Sequence, residues 1–124
     1  NKNLYFYAIG NFEILELKNN NLTFETNDPF AKILFKNQDI EDLNISFKLK
    51  KNLPGATTSE TLNNFRGCLN FYNVTLNNVK MNVKDCLLED SVNVVKSNGS
   101  INKLKIVNTA SDAFDGDFSN LINV

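Results

Sequence analysis

The sequence contains no histidine and no tryptophan, and Arg66 is its only arginine. Without histidine the chain cannot form a Ser-His-Asp triad, a Cys-His pair or the usual zinc sites. A single arginine offers little for clamping phosphate groups. The 13 basic and 14 acidic residues are spread along the chain, and no strongly basic stretch is visible. These absences weigh against nucleic acid as a partner.

Long apolar runs are also absent. None approaches the roughly 20 residues needed to cross a bilayer, and nothing resembles a signal peptide. The sequence therefore predicts no membrane span. A length of 124 residues, with 42% hydrophobic and 22% charged residues, is typical of one folded domain, here 1–124. The chain starts at Asn1 without methionine and stops at Val124 in an apparent strand, which favours a piece of a longer solenoid.

The sequence has two cysteines, Cys68 and Cys86. Two cysteines do not define a disulfide framework. A pair of small buried thiols is the preferred interpretation, and a disulfide or a reactive thiol remains open.

Short runs of β-type residues recur at roughly ten-residue spacing. Most of them alternate apolar and polar side chains, which is the pattern of a half-buried strand. Turn residues separate them, and 23 asparagines suit a solenoid in which stacked asparagines form hydrogen bonds along the turns. The sequence therefore predicts an all-β fold. The predicted runs are Leu4–Ile9, Phe12–Leu17, Leu22–Thr26, Ala31–Lys36, Leu43–Leu49, Cys68–Leu76, Val79–Lys84, Val92–Lys96, Ile101–Val107 and Phe114–Phe118.

An internal repeat distinguishes a solenoid from a sandwich. Residues 81–86 match residues 104–109 at a shift of 23, and residues 89–98 match residues 111–120 at a shift of 22. Apolar positions fall mostly on apolar positions. Such a period is typical of stacked units that each fail to bury an apolar face alone. We therefore predict a parallel β-helix with coils of about 22–23 residues.

Stacked coils place equivalent residues at the strand spacing of about 4.8 Å. Leu69, Val92 and Phe114 are then predicted to form one inward column. Asn70 and Asn93, together with Asp115, are predicted to form a ladder on the outside.

Residues 53–66 interrupt the repeat. Leu53-Pro54-Gly55 breaks the strand, and Thr57-Thr58-Ser59-Glu60 contains a Thr-x-x-Glu capping box. We predict a loop at 53–66 that protrudes between coils, with a short helix near 58–65. Long loops on rigid scaffolds often carry function, and the alternative is a protrusion that only covers one side of the solenoid.

The segment from Gly67 to Val124 resembles right-handed parallel β-helix proteins of the pectate-lyase-like superfamily. The likeness rests on residues 89–94 and 111–119 within the coil repeat. It covers about half of the chain well and the first 52 residues loosely. The resemblance implies a right-handed β-helix that cleaves, modifies or binds polysaccharides, or that forms part of an adhesin or phage tailspike. It also implies a secreted or cell-surface location.

A group of acidic residues is the strongest candidate site. The repeat places Asp90 against Asp112, while Asp115 and Asp117 share one side of a strand. Neighbouring carboxylates raise one another's pKa and suit either acid/base catalysis or a hard cation such as Ca²⁺. The alternative is that they only cap turns. The candidate cluster is Glu89, Asp90, Asp112, Asp115 and Asp117, of which Asp112, Asp115 and Asp117 are candidate Ca²⁺ ligands.

The catalytic motifs that the resemblance implies are incomplete in this sequence. Polygalacturonase-like members carry an Asn-Thr-Asp strand, and residues 108–112 are similar to it but have two extra residues. Their histidine motif has no counterpart here. Catalytic residues therefore stay unassigned. Tyr72 is a candidate for stacking on a sugar, because an aromatic ring has an apolar face and a polar tip.

These observations lead to three hypotheses for function. The first is a non-enzymatic β-helix module of a bacterial surface or polysaccharide-associated protein, which binds glycan or serves as a scaffold. The second is part of a polysaccharide lyase or hydrolase that uses the acidic cluster with Ca²⁺ or with residues outside this chain. The third is a segment of a phage tailspike or adhesin fibre. Exposed strand edges at the solenoid ends also favour self-association.

Overall fold

The computed structural model describes residues 4–50, 66–108, 112–117 and 120–122. Within these ranges all regular secondary structure is β-strand, and no helix there is long and apolar enough to cross a membrane. The predicted loop at 53–66, apart from Arg66, and the predicted helix near 58–65 lie outside the described residues. The strands are β1 (Tyr7–Ile9), β2 (Ile14–Lys18), β3 (Asn21–Thr26), β4 (Lys32–Leu49), β5 (Gly67–Lys84), β6 (Asp90–Val95), β7 (Asn98–Val107), β8 (Asp112–Asp117) and β9 (Asn120–Ile122).

Two of the strands, β4 and β5, are each 18 residues long, which is far above the usual strand length. Both contain residues with a left-handed backbone. In β4 these are Asn37 and Asp42, each with φ of 55°, and in β5 they are Asn73 and Asn78, with φ of 54° and 56°. Asparagine and aspartate tolerate this conformation better than other side chains. Each long strand is therefore divided by two single-residue corners into three shorter segments.

The corner residues of successive strands are joined through their side chains. In each case an asparagine Nδ2 donates to the Oδ1 of the equivalent residue on the neighbouring parallel strand or, for Asp85, directly after its end. These bonds stack the corners directly over one another and account for part of the abundance of asparagine. They join Asn73 to Asn37 at 2.8 Å, Asn78 to Asp42 at 2.8 Å and Asn108 to Asp85 at 2.9 Å.

The parallel register follows the sequence repeat. Leu69 lies opposite Val92, and Val92 lies opposite Phe114. Leu69 and Val92 have no exposed surface, and the half-buried Phe114 packs against the same core. The predicted inward column is confirmed. The prediction that Asp90 aligns with Asp112 is also confirmed by the pairing of β6 with β8.

Two strands near the start of the chain depart from this parallel arrangement. β1 pairs antiparallel with β4, and β2 pairs antiparallel with β3. Asn19 and Asn20, both with positive φ, form the two-residue turn between β2 and β3, as expected for a tight hairpin. Phe6 and Phe12 pack against buried core phenylalanines such as Phe24, which lies 5.2 Å from Phe6 between ring centroids. This segment therefore covers one end of the core.

The core is a row of large apolar side chains, stacked from one parallel strand to the next. Phe35 and Phe71 stack with their ring centroids 4.9 Å apart and their planes within 5°. Phe24 and Phe47 are also almost fully buried. The all-β, mostly parallel arrangement, with stacked corners and a continuous core, is compatible with a β-solenoid.

One prediction about side-chain exposure is wrong. Asn70 and Asn93 form the expected ladder, with Nδ2 of Asn93 3.4 Å from Oδ1 of Asn70, but each is only 1% exposed. Asn70 also accepts from the backbone N–H of Gly67 and donates to the carbonyl of Ile33. Because its amide bonds to the backbone on both sides, Asn70 tolerates burial.

Candidate functional site

The structure brings three of the predicted acidic residues together around Arg66. The guanidinium Nη1 lies 3.0 Å from Glu89 Oε2, and Nη2 lies 3.1 Å from Asp115 Oδ2. Nε lies 3.8 Å from Asp90 Oδ2. The fork of donors in one arginine thus reaches carboxylates from two neighbouring repeats.

The three carboxylates differ in their exposure to solvent. The side chain of Asp90 is 1% exposed, whereas those of Glu89 and Asp115 are 38% and 31% exposed. A buried carboxylate requires compensation by a cation or by hydrogen bonds. Arg66 supplies a cation from the protein itself. The cluster therefore has a structural role that the sequence pattern did not identify.

Asp112 and Asp117 stand in β8, where their backbones pair with Asp90 and Val95. Their side chains lie outside the described part of the structure. Among the described residues, no group of three or more acidic, cysteine or histidine side chains is arranged to hold a metal ion. The Ca²⁺ site at Asp112, Asp115 and Asp117 stays a prediction.

Cys68 and Cys86 form a disulfide, with their Cα atoms 6.3 Å apart. The preferred interpretation of two buried thiols is therefore wrong, although both cysteines are buried. The bond joins the start of β5 to the segment that follows its end. It closes a loop of 18 residues around most of one repeat.

A second candidate site is a face rich in lysine, which was not predicted. It consists of the outward side chains of β3 and of the last segments of β4, β5 and β7. We call it the lysine face. Lys48, Lys80, Lys84, Lys103 and Lys105 are all exposed there, and the face also carries Asn44, Asn82, Ser46 and Thr23.

The strand register arranges the lysine face in columns. Asn44 lies opposite Lys80, which lies opposite Lys103. Beside this column, Asn82 lies opposite Lys105. Neighbours along a column are separated by the strand spacing of about 4.8 Å, and columns two residues apart by about 6.6 Å. The result is a regular grid of ammonium, amide and hydroxyl groups.

Shallow depressions cross this grid. One of about 260 Å³ is lined by Asn44, Lys80 and Lys103 among others, and a neighbouring one of about 260 Å³ includes Lys48 and Lys84. Among the outward residues described on these four strand segments, Glu25 is the single carboxylate. The face is therefore strongly cationic, although the net charge of the whole chain is −1.

The signal for this face was present in the sequence. In residues 80–84 and 103–105, lysine and asparagine occupy every second position. Alternate residues of a strand share one face, so both runs place their polar residues on the same side. The 23-residue shift then stacks Lys80 beneath Lys103. The net charge of the whole chain does not reveal that lysines are concentrated on one face.

Tyr72, the candidate for stacking on sugars, lies on a different part of the surface. Its side chain is half-buried, and the Nζ of Lys96 stands 5.7 Å from its ring centroid. This cation occupies one face of the ring. The sugar-stacking role of Tyr72 stays a prediction.

Comparison of the chain with protein-family models, with curated proteins and with solved structures finds no match. The likeness to the pectate-lyase-like superfamily therefore stays a prediction that rests on the coil repeat.

Proposed function

We propose that this chain is a non-enzymatic module, built as a right-handed parallel β-helix, that binds an acidic polysaccharide through its lysine face. The observation that carries the proposal is the cationic grid. Five lysines interleaved with amides and hydroxyls lie on one regular surface, with Glu25 as its outward carboxylate.

Two features of the structure and one general rule of handedness support the β-helix as the finer description of the fold. Parallel strands repeat at the coil period, and single-residue corners stack through Asn and Asp side chains. Connections between parallel strands of one sheet are right-handed in about 98% of cases. The disulfide supports a secreted or cell-surface location, because disulfides persist in oxidising environments.

The chemistry of the lysine face fits a charged sugar polymer. Amide and hydroxyl groups can both donate hydrogen bonds to sugar hydroxyls and accept them. Lysine ammonium groups attract carboxylate or sulfate groups on the polymer. A flat grid with repeating spacing along the strands suits a linear ligand with a repeating unit.

Nucleic acid is a poorer match to the same face. The described outward residues of the lysine face include no aromatic side chain on which a base could stack. They also include no arginine, and Arg66 is engaged with carboxylates. The face therefore lacks the two groups that most often strengthen binding to nucleic acid.

The enzyme hypothesis has weaker support than the binding hypothesis. A lyase or hydrolase needs carboxylates that are free to exchange protons or to hold Ca²⁺. Glu89 and Asp115 instead form ion pairs of 3.0 and 3.1 Å with Arg66. The fibre hypothesis predicts a trimer, which a measurement of mass in solution distinguishes from the other two.

Isothermal titration calorimetry with a polyuronate, a neutral glucan and a single-stranded oligonucleotide tests the proposal. We expect binding to the polyuronate that weakens with added salt, and no binding to the neutral glucan. The double variant Lys80→Gln/Lys103→Gln should weaken binding by roughly 30-fold, since each lysine near a dense anionic surface contributes about 1 kcal/mol.

The matched control is Lys36→Gln/Lys96→Gln, which removes the same charge outside the lysine face. This control should bind the polyuronate like the parent chain. Equal losses in both double variants would show that only net charge matters. Tighter binding to the oligonucleotide than to the polyuronate would replace polysaccharide with nucleic acid as the ligand.

A further inference from the structure

The strand β2 presents an apolar edge to solvent. All five of its residues are exposed, including Leu15 at 47% and Leu17 at 51%. Within the described part of the chain β2 pairs with β3 alone, so its other edge has no partner strand. Exposed strand edges with apolar side chains are templates for pairing with another strand.

The hairpin fixes which backbone groups face this free edge. Lys18 and Asn21 flank the two-residue turn, and they therefore form a pair joined by hydrogen bonds. Pairs of this kind alternate with pairs that are not hydrogen-bonded along an antiparallel ladder. The N–H and C=O groups of Leu15 and Leu17 must consequently point away from β3, towards the free edge.

We propose that this edge pairs antiparallel with β2 of a second copy of the chain, about a two-fold axis at Leu17. Leu17 then lies opposite the same residue of the second copy. Glu16 of each copy lies opposite Lys18 of the other, which places two ion pairs symmetrically about the axis. This inference goes beyond polysaccharide binding and does not depend on it.

Charge selects this register from the alternatives. Antiparallel pairing must set Leu15 or Leu17 of one copy against Leu15 or Leu17 of the other, because only their backbone groups face the edge. A two-fold axis at Glu16 would place the Glu16 side chains of the two copies opposite each other, so that two like charges would meet. A two-fold axis at Leu15 would place Ile14 of each copy opposite Glu16 of the other. Only the register about Leu17 opposes unlike charges.

The proposed pair also covers apolar surface at the centre of the edge. Leu15 and Leu17 lie opposite Phe24 and Leu22, which are buried, so all four side chains share the inner side of the sheet. A strand added to β2 in this register would extend this side and shield Leu17 from water, while Leu15 would lie opposite the turn residue Asn19 of the second copy. On the outer side Lys18 lies opposite Asn21, so the lysine faces of the two copies would meet in one sheet.

Sedimentation equilibrium of the full chain between about 10 µM and about 1 mM tests the proposal. We expect a weak dimer, because so short an edge is a small interface. The mean mass should rise with concentration from 14.0 kDa towards twice that value. Glu16→Lys and Lys18→Glu should each weaken dimerisation at least about tenfold, since each sets like charges opposite one another at two places.

A mixture of the two single variants gives the sharpest result. In a dimer of one Glu16→Lys chain and one Lys18→Glu chain, each lysine at position 16 or 18 lies opposite a glutamate of the other chain. The mixture should therefore dimerise like the parent chain. Glu41→Lys makes the same change of charge on an exposed part of β4 away from this edge and should leave dimerisation unchanged. A parent chain that stays monomeric at 1 mM, single variants that dimerise normally, or a mixture that stays monomeric would each overturn the proposal.

Discussion

Replacing Arg66 with glutamine removes the cation that three carboxylates share. The ion pairs with Glu89 and Asp115 join side chains that are about one-third exposed, so each contributes only about 0.2–1 kcal/mol. Asp90 is 1% exposed, and removing the partner of a buried carboxylate costs about 3–5 kcal/mol. Because that pair is the longest, at 3.8 Å, we take the lower end of the range.

The expected loss for Arg66→Gln, summed over the three pairs, is therefore about 3.5–5 kcal/mol, which corresponds to a fall in Tm of roughly 10–20 °C for a chain of this size. Thermal unfolding followed by circular dichroism measures it. Arg66→Lys keeps the charge but cannot reach three carboxylates at once, so its Tm should fall by an intermediate amount. Lys50→Gln, which removes an exposed cation elsewhere, should change stability by less than about 0.5 kcal/mol.

The same variant separates a structural role of the cluster from a cation site. If the carboxylates can hold Ca²⁺ once the guanidinium is gone, Ca²⁺ at a hundredfold excess over its Kd should restore about 2.7 kcal/mol to Arg66→Gln. Adding Asp115→Asn should remove that gain. An Arg66→Gln variant that melts within about 2 °C of the parent would refute the reasoning, because the buried Asp90 would then not depend on this partner.

Three further changes test other parts of the fold. Replacing Cys68 and Cys86 with serine should cost about 3 kcal/mol in denaturant unfolding, since the disulfide closes an 18-residue loop, and an unchanged midpoint would contradict this. Phe71→Ala should cost about 3–5 kcal/mol, because Phe71 is 1% exposed and stacked in the core, whereas Phe30→Ala, at a side chain 45% exposed, should cost far less. Burial lowers the pKa of Lys32 from 10.5, so the unfolded chain holds this proton more tightly and stability should rise as pH increases from the lowered pKa towards 10.5. Lys32→Met should lack that rise in unfolding measured across alkaline pH, and an identical pH profile would count against it.

The sequence repeat was sufficient to predict the alignment of particular side chains. Leu69, Val92 and Phe114 pair as predicted because a period of 22 to 23 residues and the alternation of strand residues together leave one register. The same reasoning aligned Asp90 with Asp112. It predicted strands where β1 and β2 lie but not their antiparallel pairing, because an antiparallel strand carries the same alternation as a parallel one.

Part of the lysine face, and the contact of Arg66 with Asp115, depend on distances along the chain that the repeat does not reveal. Lys48 lies opposite Lys84 at a shift of 36 residues, not 23, so a search at the coil period misses the pair. Arg66 and Asp115 are 49 residues apart, and only the three-dimensional register brings them into contact. Likewise, the spacing of Cys68 and Cys86 does not determine whether their Cα atoms come close enough to bond.

The change of register between β4 and β5 has a consequence for how such a chain can evolve. Ile45 lies opposite Leu22 at a shift of 23 residues, and Met81 lies opposite Leu104 at the same shift. Between these pairs, Ile45 lies opposite Met81 at a shift of 36. In the sequence the extra residues lie at the junction between Leu49 and Gly67, and the pairs before and after this change of register keep the 23-residue shift. A lineage can therefore gain or lose residues at this junction without having to redesign the core around it.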